Sequence, residues 1–212
     1  IIGGTGSGKS TIAKLIHRYH DVTSGRILFQ GQDIRDLQQH DLREHIAYVP
    51  QKAWLFSGTI EENLKYGKPD ADREEMKRAL SIAQAGFVDG LPGGLKSHVA
   101  QGGTNFSGGQ KQRLSIARAI IKKADLYIFD DSFSALDFKT DAALRRALAD
   151  EIKDSSILII AQRISTILHA DQIIVLDDGR IAGMGKHRDL MENCPVYRDI
   201  TQSQMKGGGL NG

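Results

Sequence analysis

GGTGSGKS, residues 3–10, fits the phosphate-binding pattern G-x-x-x-x-G-K-S/T between an apolar pair and a helical pattern. Its glycines let the backbone adopt positive φ and point successive N–H groups inward, which makes a nest for an anion at a helix start. Lys9 is expected to neutralise phosphates and Ser10 to offer its hydroxyl to Mg²⁺. A glycine-rich surface turn is the alternative. The stretch therefore predicts a nucleoside triphosphate site, and its candidate residues are Gly3, Gly4, Thr5, Gly6, Ser7, Gly8, Lys9, Ser10 and Thr11.

The composition is that of a soluble globular domain. The 212 residues are 40% apolar and 25% charged, and the net charge of +2 is too small to argue for a nucleic-acid partner. Cys194 is the one cysteine, which fits a reducing compartment, and no apolar run approaches the length of a membrane span. The pair Ile1-Ile2 resembles the end of a longer strand, so we expect a fragment of a longer chain.

Hydrophobic patterning predicts an α/β fold with a mainly parallel core sheet, and the phosphate-binding loop at 3–10 makes a P-loop NTPase the expected class. We also expect a small antiparallel portion that is truncated at the N-terminus. Apolar strands at 46–49, 126–129, 156–160 and 172–176 are interspersed with helices, and Asp178-Gly179 marks a hairpin. A short strand is expected at 26–29. Helices are expected at 41–45, 59–64, 72–83, 108–121, 141–152, 164–169, 187–192 and 197–204. We expect one domain with a core at 1–51 and 110–206, an inserted helical subdomain without strands at 52–109, and a flexible tail at 207–212.

Two carboxylates end the apolar stretch LYIFDD, residues 126–131. The carboxyl ends of strands in an open α/β sheet are where ligands bind. Asp130 is therefore expected to hold Mg²⁺, through a water molecule. A helix N-cap or a solvated turn is the alternative, because aspartate favours both.

A second glycine-containing helix start lies about a hundred residues further on, in NFSGGQKQRL, residues 105–114. Ser107, Gly108, Gly109 and Gln110 form a second candidate anion site. Taken alone, the segment is equally explained by Ser107 as an ordinary N-cap with Gln110 as its capping-box partner.

Taken in order, these motifs resemble the nucleotide-binding domain of ATP-binding-cassette (ABC) transporters over essentially the whole chain. The further matches are Gln51 after Tyr48-Val49-Pro50, and Asp137 in Ser134-Ala135-Leu136-Asp137. The stretches around Trp54 to Ile60 and Glu62-Asn63-Leu64 are similar to those with which exporters meet their transmembrane helices. The exporter branch of the family is therefore the expected one.

The resemblance implies an ATPase with ATP and Mg²⁺ as cofactors, at the cytoplasmic face of a membrane. Its partners would be a transmembrane domain, through coupling helices, and a second nucleotide-binding domain facing it head to tail. Ser107 to Gln110 and Asp137 would serve the ATP held by that second domain. Gln51 would contact the metal or the attacking water, and Ser10 and Asp130 would hold the metal. The family stacks adenine on an aromatic residue of a segment that would precede Ile1, so we expect residues 1–212 alone to bind nucleotide weakly.

The sequence departs from the family pattern at three positions, two of which the resemblance places at the γ-phosphate. Asp131 stands in place of the usual catalytic glutamate, and its side chain is one methylene shorter. Gln162 stands in place of the usual histidine and cannot become cationic. Gln101 stands where exporters tend to carry glutamate. Neutral drift could explain either of the first two changes alone. Because both affect the same γ-phosphate, they suggest that this chain is the weakly catalytic half of a heterodimeric exporter.

Two other functions remain open. A regulatory module that binds ATP and dimerises without useful hydrolysis is supported by Asp131 and Gln162. A soluble ABC-type ATPase is disfavoured by the exporter-like stretch at 55–64. The transported substrate, and whether the second domain is an identical chain, do not follow from this sequence.

Overall fold

The computed structural model describes residues 1–208. The strands are β1 Ile2–Gly3, β2 Leu28–Phe29, β3 Gln32–Asp33, β4 Ile46–Val49, β5 Gly58–Thr59, β6 His98–Val99, β7 Leu126–Asp130, β8 Ser156–Ile160, β9 Ile173–Asp177 and β10 Arg180–Gly185. The helices are α1 Lys9–Ile16, α2 Gln39–Glu44, α3 Ile60–Lys65, α4 Arg73–Ile82, α5 Gly108–Ile120, α6 Phe138–Glu151, α7 Ile164–Ile167, α8 His187–Asn193 and α9 Pro195–Gly208. The chain forms two units, one combining Ile1–Leu42 with the chain from Leu158 onward and the other consisting of Arg43–Ile157.

The first unit is built on β9, which has β1 parallel on one side and β10 antiparallel on the other. Ile2 lies opposite Val175 and both are fully buried. Gly3 ends β1, and a Cβ atom there would lie 2.2 Å from the Leu176 carbonyl oxygen, so only glycine fits. The core also includes Ala161, Ile164, Ile167, Ile173, Leu190, Cys194 and Tyr197.

The second unit holds β4 and β7 as a parallel pair in continuous register, from Ile46 opposite Leu126 to Val49 opposite Phe129. Most of their residues are buried, as the near-continuous apolar sequence of both strands predicts. Parallel pairing brings the two carboxyl ends to the same edge. The segments that follow, which begin at Pro50 and Asp131, therefore start side by side.

Reciprocal capping boxes begin three helices of this unit. In each, an N-cap side chain accepts a hydrogen bond from the backbone N–H three residues on, and that residue's side chain accepts one from the N-cap backbone. The pairs are Thr59 with Glu62 in α3, Asp72 with Glu75 in α4, and Ser107 with Gln110 in α5. These local signals explain why the predicted helix starts at 59, 72 and 108 lie within one residue of the observed ones.

The predicted α/β class, its parallel strand pairs and the hairpin are confirmed. Asp178 and Gly179 both have positive φ, as a tight two-residue turn between β9 and β10 requires. The expectation of no strand within 52–109 is wrong, because β5 and β6 pair there with antiparallel register. Helix α6 begins three residues before the predicted 141, because Asp137 caps it.

The C-terminal helix extends through Gly208, and the remainder of the stretch expected to be a flexible tail lies outside the described residues. Among residues 1–208, every helix is too short or too polar to cross a lipid bilayer.

Candidate functional site

The candidate phosphate loop connects β1 to α1 within the first unit. Gly8 is the N-cap of α1, with φ 96°, a left-handed conformation that strains residues with a side chain. Glycine has no side chain with which to cap the helix. The N-cap residue therefore contributes no capping side chain, which suits an anion site at the positive end of the helix dipole.

Lys9 lies across this loop, and the residue is almost fully buried. Its Nζ donates to the carbonyl oxygens of Gly3 and Gly4 at 2.9 and 2.6 Å, and lies 3.4 Å from Ser7 Oγ. Ser7 is also buried, whereas Gly4, Thr5 and Gly6 form the exposed rim. Ser10 is half-buried and Thr11 exposed in the first turn of α1. The loop thus holds a cation against the backbone that the sequence predicts to bind phosphates.

Two buried carboxylates end β7 in the second unit. Asp130 is 4% exposed, and its Oδ2 accepts a hydrogen bond from the Tyr48 hydroxyl at 3.0 Å. Asp131 is 9% exposed, and its Oδ2 accepts one from the Gln51 side-chain amide at 2.9 Å. Neither aspartate is the N-cap of a described helix and both are buried, although Asp131 begins a turn whose Ser134 N–H points back to its carbonyl. The structure thus brings predicted residues Gln51 and Asp131 together.

Asp131 has φ 48°, in the left-handed region. Aspartate and asparagine enter this region more readily than other residues with a side chain. Its carbonyl accepts a hydrogen bond from the Ser134 hydroxyl at 2.8 Å, which helps to hold the unusual backbone. The backbone turns at the position where the family usually places glutamate, and aspartate suits that turn.

The segment at the start of α5 has the capping box that the sequence left open as an alternative. Ser107 Oγ accepts from the Gln110 N–H at 3.2 Å, and Gln110 Oε1 accepts from the Ser107 N–H at 2.9 Å. Ser107 and Gly108 are exposed, and Gly109 and Gln110 are half-buried. Both polar side chains of the segment therefore support their own helix in this conformation.

Asp137 occupies another helix start, that of α6. Its carboxylate accepts from the Thr140 N–H at 2.9 Å and from the Thr140 hydroxyl at 2.7 Å. These hydrogen bonds, the backbone one first, hold the pKa of Asp137 below its ordinary value. An exposed, firmly anionic cap therefore stands at this position.

Gln162 follows β8 in the first unit and has an exposed side chain. Its backbone carbonyl accepts from Gln204 Nε2 at 2.6 Å, and Gln204 Oε1 accepts from the Ile164 N–H at 2.9 Å. One glutamine of α9 therefore satisfies two backbone groups around Gln162. Sequence reasoning misses Gln204 because no local pattern relates positions 42 residues apart.

Tyr48 is a second residue whose contact with the candidate site sequence reasoning misses, although it lies in the Tyr48-Val49-Pro50 stretch. The sequence does indicate that the ends of β4 and β7 belong to one site, because both are predicted as buried strands that end near charged or polar residues. In-register pairing is needed to place the phenol beside Asp130.

Comparison with known proteins finds relatives along the whole chain. A family model described as ABC transporter matches residues 1–134. An uncharacterized ABC transporter ATP-binding protein of Mycobacterium tuberculosis is 48% identical over 216 residues, which cover 100% of this chain and 37% of that protein. The ATP-dependent lipid A-core flippase of Chromobacterium violaceum is 42% identical over 205 residues, covering 96% and 35%.

A solved structure of a bacterial Atm1-family ABC exporter with ATP bound has the same fold. It superposes with a TM-score of 0.93 at 39% sequence identity, and the match covers 96% of this chain and 36% of that chain. The chain thus spans about a third of the length of the relatives it matches.

Proposed function

Because this chain belongs to the ABC transporter family of ATP-binding domains, we propose that it is the motor domain of an exporter. It binds and hydrolyses ATP and drives transport across a membrane by ATP-dependent dimerisation, at the cytoplasmic face. The observation that carries this proposal is the loop at 3–10, where Lys9 and a helix start without a capping side chain surround one backbone nest. The names of the flippase and exporter relatives support the direction of transport.

The donor groups present fit a nucleotide with its magnesium ion. The loop from Gly3 to Thr11 would hold the phosphates, with Lys9 as the cation. Ser10, Gln51 and Asp130 would supply hydroxyl, amide and carboxylate oxygens, which are the ligands Mg²⁺ prefers. Among the described residues, no group of three or more His, Cys, Asp or Glu side chains could hold a metal by itself. When bound, Mg²⁺ neutralises charge that develops on the phosphates.

A second nucleotide-binding domain is the proposed partner. Ser107 to Gln110, with Asp137, would complete the site of the ATP held by that domain. Support comes from the exposure of Ser107 and Asp137 and from the N-terminal end of a thirteen-residue helix behind Ser107. The arrangement explains why one chain carries two anion-binding patterns.

A transmembrane domain is the second proposed partner, and an aromatic surface is its docking face. Trp54, Phe56 and Tyr66 are 52%, 43% and 64% exposed, and the ring centroids of the last two lie 4.5 Å apart. Arg118 lies beneath, donating from Nη2 to the Trp54 carbonyl at 2.8 Å. Burial lowers the pKa of Arg118, and within the described residues its buried Nη1 has no acceptor. A coupling helix would cover the exposed rings of Trp54, Phe56 and Tyr66.

Slow turnover is proposed for the chain's own site. Asp131 is short for a residue that must place a carboxylate within about 3 Å of a proton, and Gln51 already donates to it. A misplacement near 1 Å costs on the order of a hundredfold in rate. Gln162 can donate a neutral hydrogen bond but no positive charge. The partner site, completed by the intact segment at 107–110, would carry most of the hydrolysis.

The test is the ATPase activity of the full-length protein assembled with its partner. Asp131→Ala is compared with removal of the equivalent carboxylate in the partner. We expect a small loss from the first change and near-complete loss from the second. Equal losses would contradict the asymmetry while leaving the motor function in place.

A regulatory module without useful hydrolysis is the second candidate, favoured by Asp131 and Gln162 together. Slow steady hydrolysis that rises when the partner is added supports the motor. ATP-dependent dimerisation with no phosphate release supports the regulatory module. A soluble ABC-type ATPase would show activity indifferent to membrane and transmembrane domain.

A further inference from the structure

The hydroxyl of Tyr48 reaches Asp130 because of the strand register. Tyr48 lies opposite Ile128 in the parallel β4–β7 pair. Side chains alternate between faces, so Ile128 and Asp130 share a face of β7, and Asp130 is a diagonal neighbour of Tyr48. A phenol is long enough to span that diagonal, and its oxygen lies 3.0 Å from Asp130 Oδ2. This contact joins positions 82 residues apart.

The environment makes this hydrogen bond consequential. Asp130 is 4% exposed, and a buried carboxylate is costly unless hydrogen-bond donors compensate for its lost hydration. Tyr48 is half-buried, and both residues stand on paired strands rather than on a loop. Ser132 Oγ donates to the Val49 carbonyl at 2.8 Å and links the two strand ends. The phenol is therefore held in place by rigid neighbours.

We propose that Tyr48 is a positioning residue that sets the orientation of the Asp130 carboxylate toward Mg²⁺. The proposal rests on the metal-binding role given to Asp130 above. A donor on Oδ2 fixes rotation of the carboxylate about its own bond and so directs the other oxygen. Mg²⁺ demands near-ideal octahedral geometry, so ligand orientation affects affinity more than it would for a larger ion. Hydrogen-bond partners of metal ligands typically contribute about 10- to 100-fold in metal affinity.

Tyr48→Phe is the test variant, because it removes one oxygen and keeps the ring. The measurement is equilibrium ATP binding to the full-length protein, with Mg²⁺ and with EDTA, without reliance on turnover. A Lys9→Ala variant identifies the share of binding that belongs to this chain's loop. We expect Tyr48→Phe to leave ATP affinity in EDTA unchanged and to reduce the gain in affinity that Mg²⁺ confers by about tenfold.

Tyr127→Phe is the matched control. Tyr127 lies on β7 itself, and its hydroxyl bonds the backbone of Ala124 and Ile120 rather than a carboxylate. This variant should lower the thermal unfolding midpoint without changing the Mg²⁺-dependent gain. Adding Tyr48→Phe to Asp130→Asn should not reduce the Mg²⁺-dependent gain in ATP affinity any further, because the carboxylate that Tyr48 orients is already absent.

The outcomes separate the proposals. A Mg²⁺-dependent gain that survives in Tyr48→Phe overturns the positioning role, as does an equal loss of affinity in Mg²⁺ and EDTA. Failure of the unsubstituted protein to bind ATP in either condition overturns the proposed function instead. A misfolded Tyr48→Phe is recognised by its unfolding curve. Asp130→Asn alone then decides, because a Mg²⁺-dependent gain that persists without the carboxylate overturns the positioning role.

Discussion

The two glycine-containing anion patterns of this chain lie at the starts of α1 and α5. The two helix starts differ in whether a side chain caps them. At α1 the N-cap is Gly8, with no side-chain cap among the described residues, and Lys9 turns back onto the loop carbonyls. At α5 the N-cap is Ser107, which exchanges two hydrogen bonds with Gln110. The N-cap of α1 thus has no side chain with which to cap its helix, whereas the N-cap of α5 forms a reciprocal capping box.

The presence or absence of a capping side chain determines how a ligand can use the positive end of each helix dipole. A start whose N-cap is glycine is suited to hold a ligand by itself, because binding breaks no hydrogen bond of an N-cap side chain. A self-capped start already forms good hydrogen bonds and must gain more from a ligand than it gives up. The segment at α5 is thus better suited to complete a site than to form one alone, as the partner role of Ser107 requires.

The largest effect is expected from Lys9→Ala. Loss of the buried ammonium removes a charge-assisted contact with phosphates, so the ATP affinity of this chain should fall on the order of 100-fold. Ser107→Ala should leave that affinity unchanged, and Lys14→Ala, which changes an exposed lysine of α1, is the control. Calorimetric titration of ATP into the full-length protein measures all three. Comparable losses in Lys9→Ala and Ser107→Ala would erase the distinction between the two helix starts.

Ser107→Asp is expected to have the next largest effect. Aspartate caps helices about as well as serine, so the unfolding free energy should stay within about 0.5 kcal/mol of the original. Its negative charge would oppose phosphates, so the ATPase activity of the protein assembled with its partner should fall by roughly tenfold or more, the cost of about one charge-assisted contact. Ser107→Ala serves as the converse control, expected to cost about 1 kcal/mol of stability. Full activity in Ser107→Asp would reduce Ser107 to an ordinary cap.

Helix starts are also the best-predicted features of the fold. Thr59 and Asp72, each with glutamate three residues on, are sufficient to place α3 and α4. The two-residue strands β5 and β6 are not predictable, because periodicity needs longer segments and their pairing joins positions about forty residues apart. The resemblance to ABC domains suggests a partner role for Asp137, whereas the predicted helix start at 141 does not anticipate that Asp137 caps α6.

The residues of the candidate site likewise fall into those that local motifs predict and those whose contacts depend on tertiary structure. Lys9 and Asp130 follow from motifs whose chemistry is local. The contacts of Tyr48 and Gln204 depend on strand register and on the path of α9, which no local pattern contains. The left-handed backbone of Asp131 is equally hidden, although aspartate is among the residues that tolerate it.

A third kind of helix start is found at α7, where the cap comes from a distant helix. Its N-cap Arg163 makes no side-chain cap contact, and Gln204 Oε1 accepts from the Ile164 N–H instead. Gln204→Ala should therefore speed hydrogen exchange at the Ile164 amide by about tenfold, as loss of roughly one net hydrogen bond predicts. Gln202→Ala, at an exposed glutamine on the same helix, should not. Unchanged exchange in Gln204→Ala would mean that α7 is not held from α9.

The smallest effect concerns α4, whose capping box has no proposed ligand and so serves as a structural reference for Ser107. Hydrogen bonds from Lys123, then from Lys68 and the Asp72 backbone, lower the pKa of Glu75 from 4.5 to about 2. A carboxylate whose pKa is lower in the folded state stabilises the fold above its unfolded pKa. That contribution is lost as pH falls from about 4.5 through 2. Glu75→Gln should therefore flatten the dependence of the unfolding midpoint on pH in this window and leave ATP binding unchanged.

Glu74→Gln is the control for that last experiment, because it removes the same charge from the same turn without touching the capping box. An equal flattening in both variants would assign the acid sensitivity to the net charge of α4 rather than to its cap. A distinct response of Glu75→Gln, with ATP binding intact, would show that a capping box can be weakened in this fold without functional cost. Any loss of function in Ser107→Asp would then belong to the segment at 107–110 and not to capping in general.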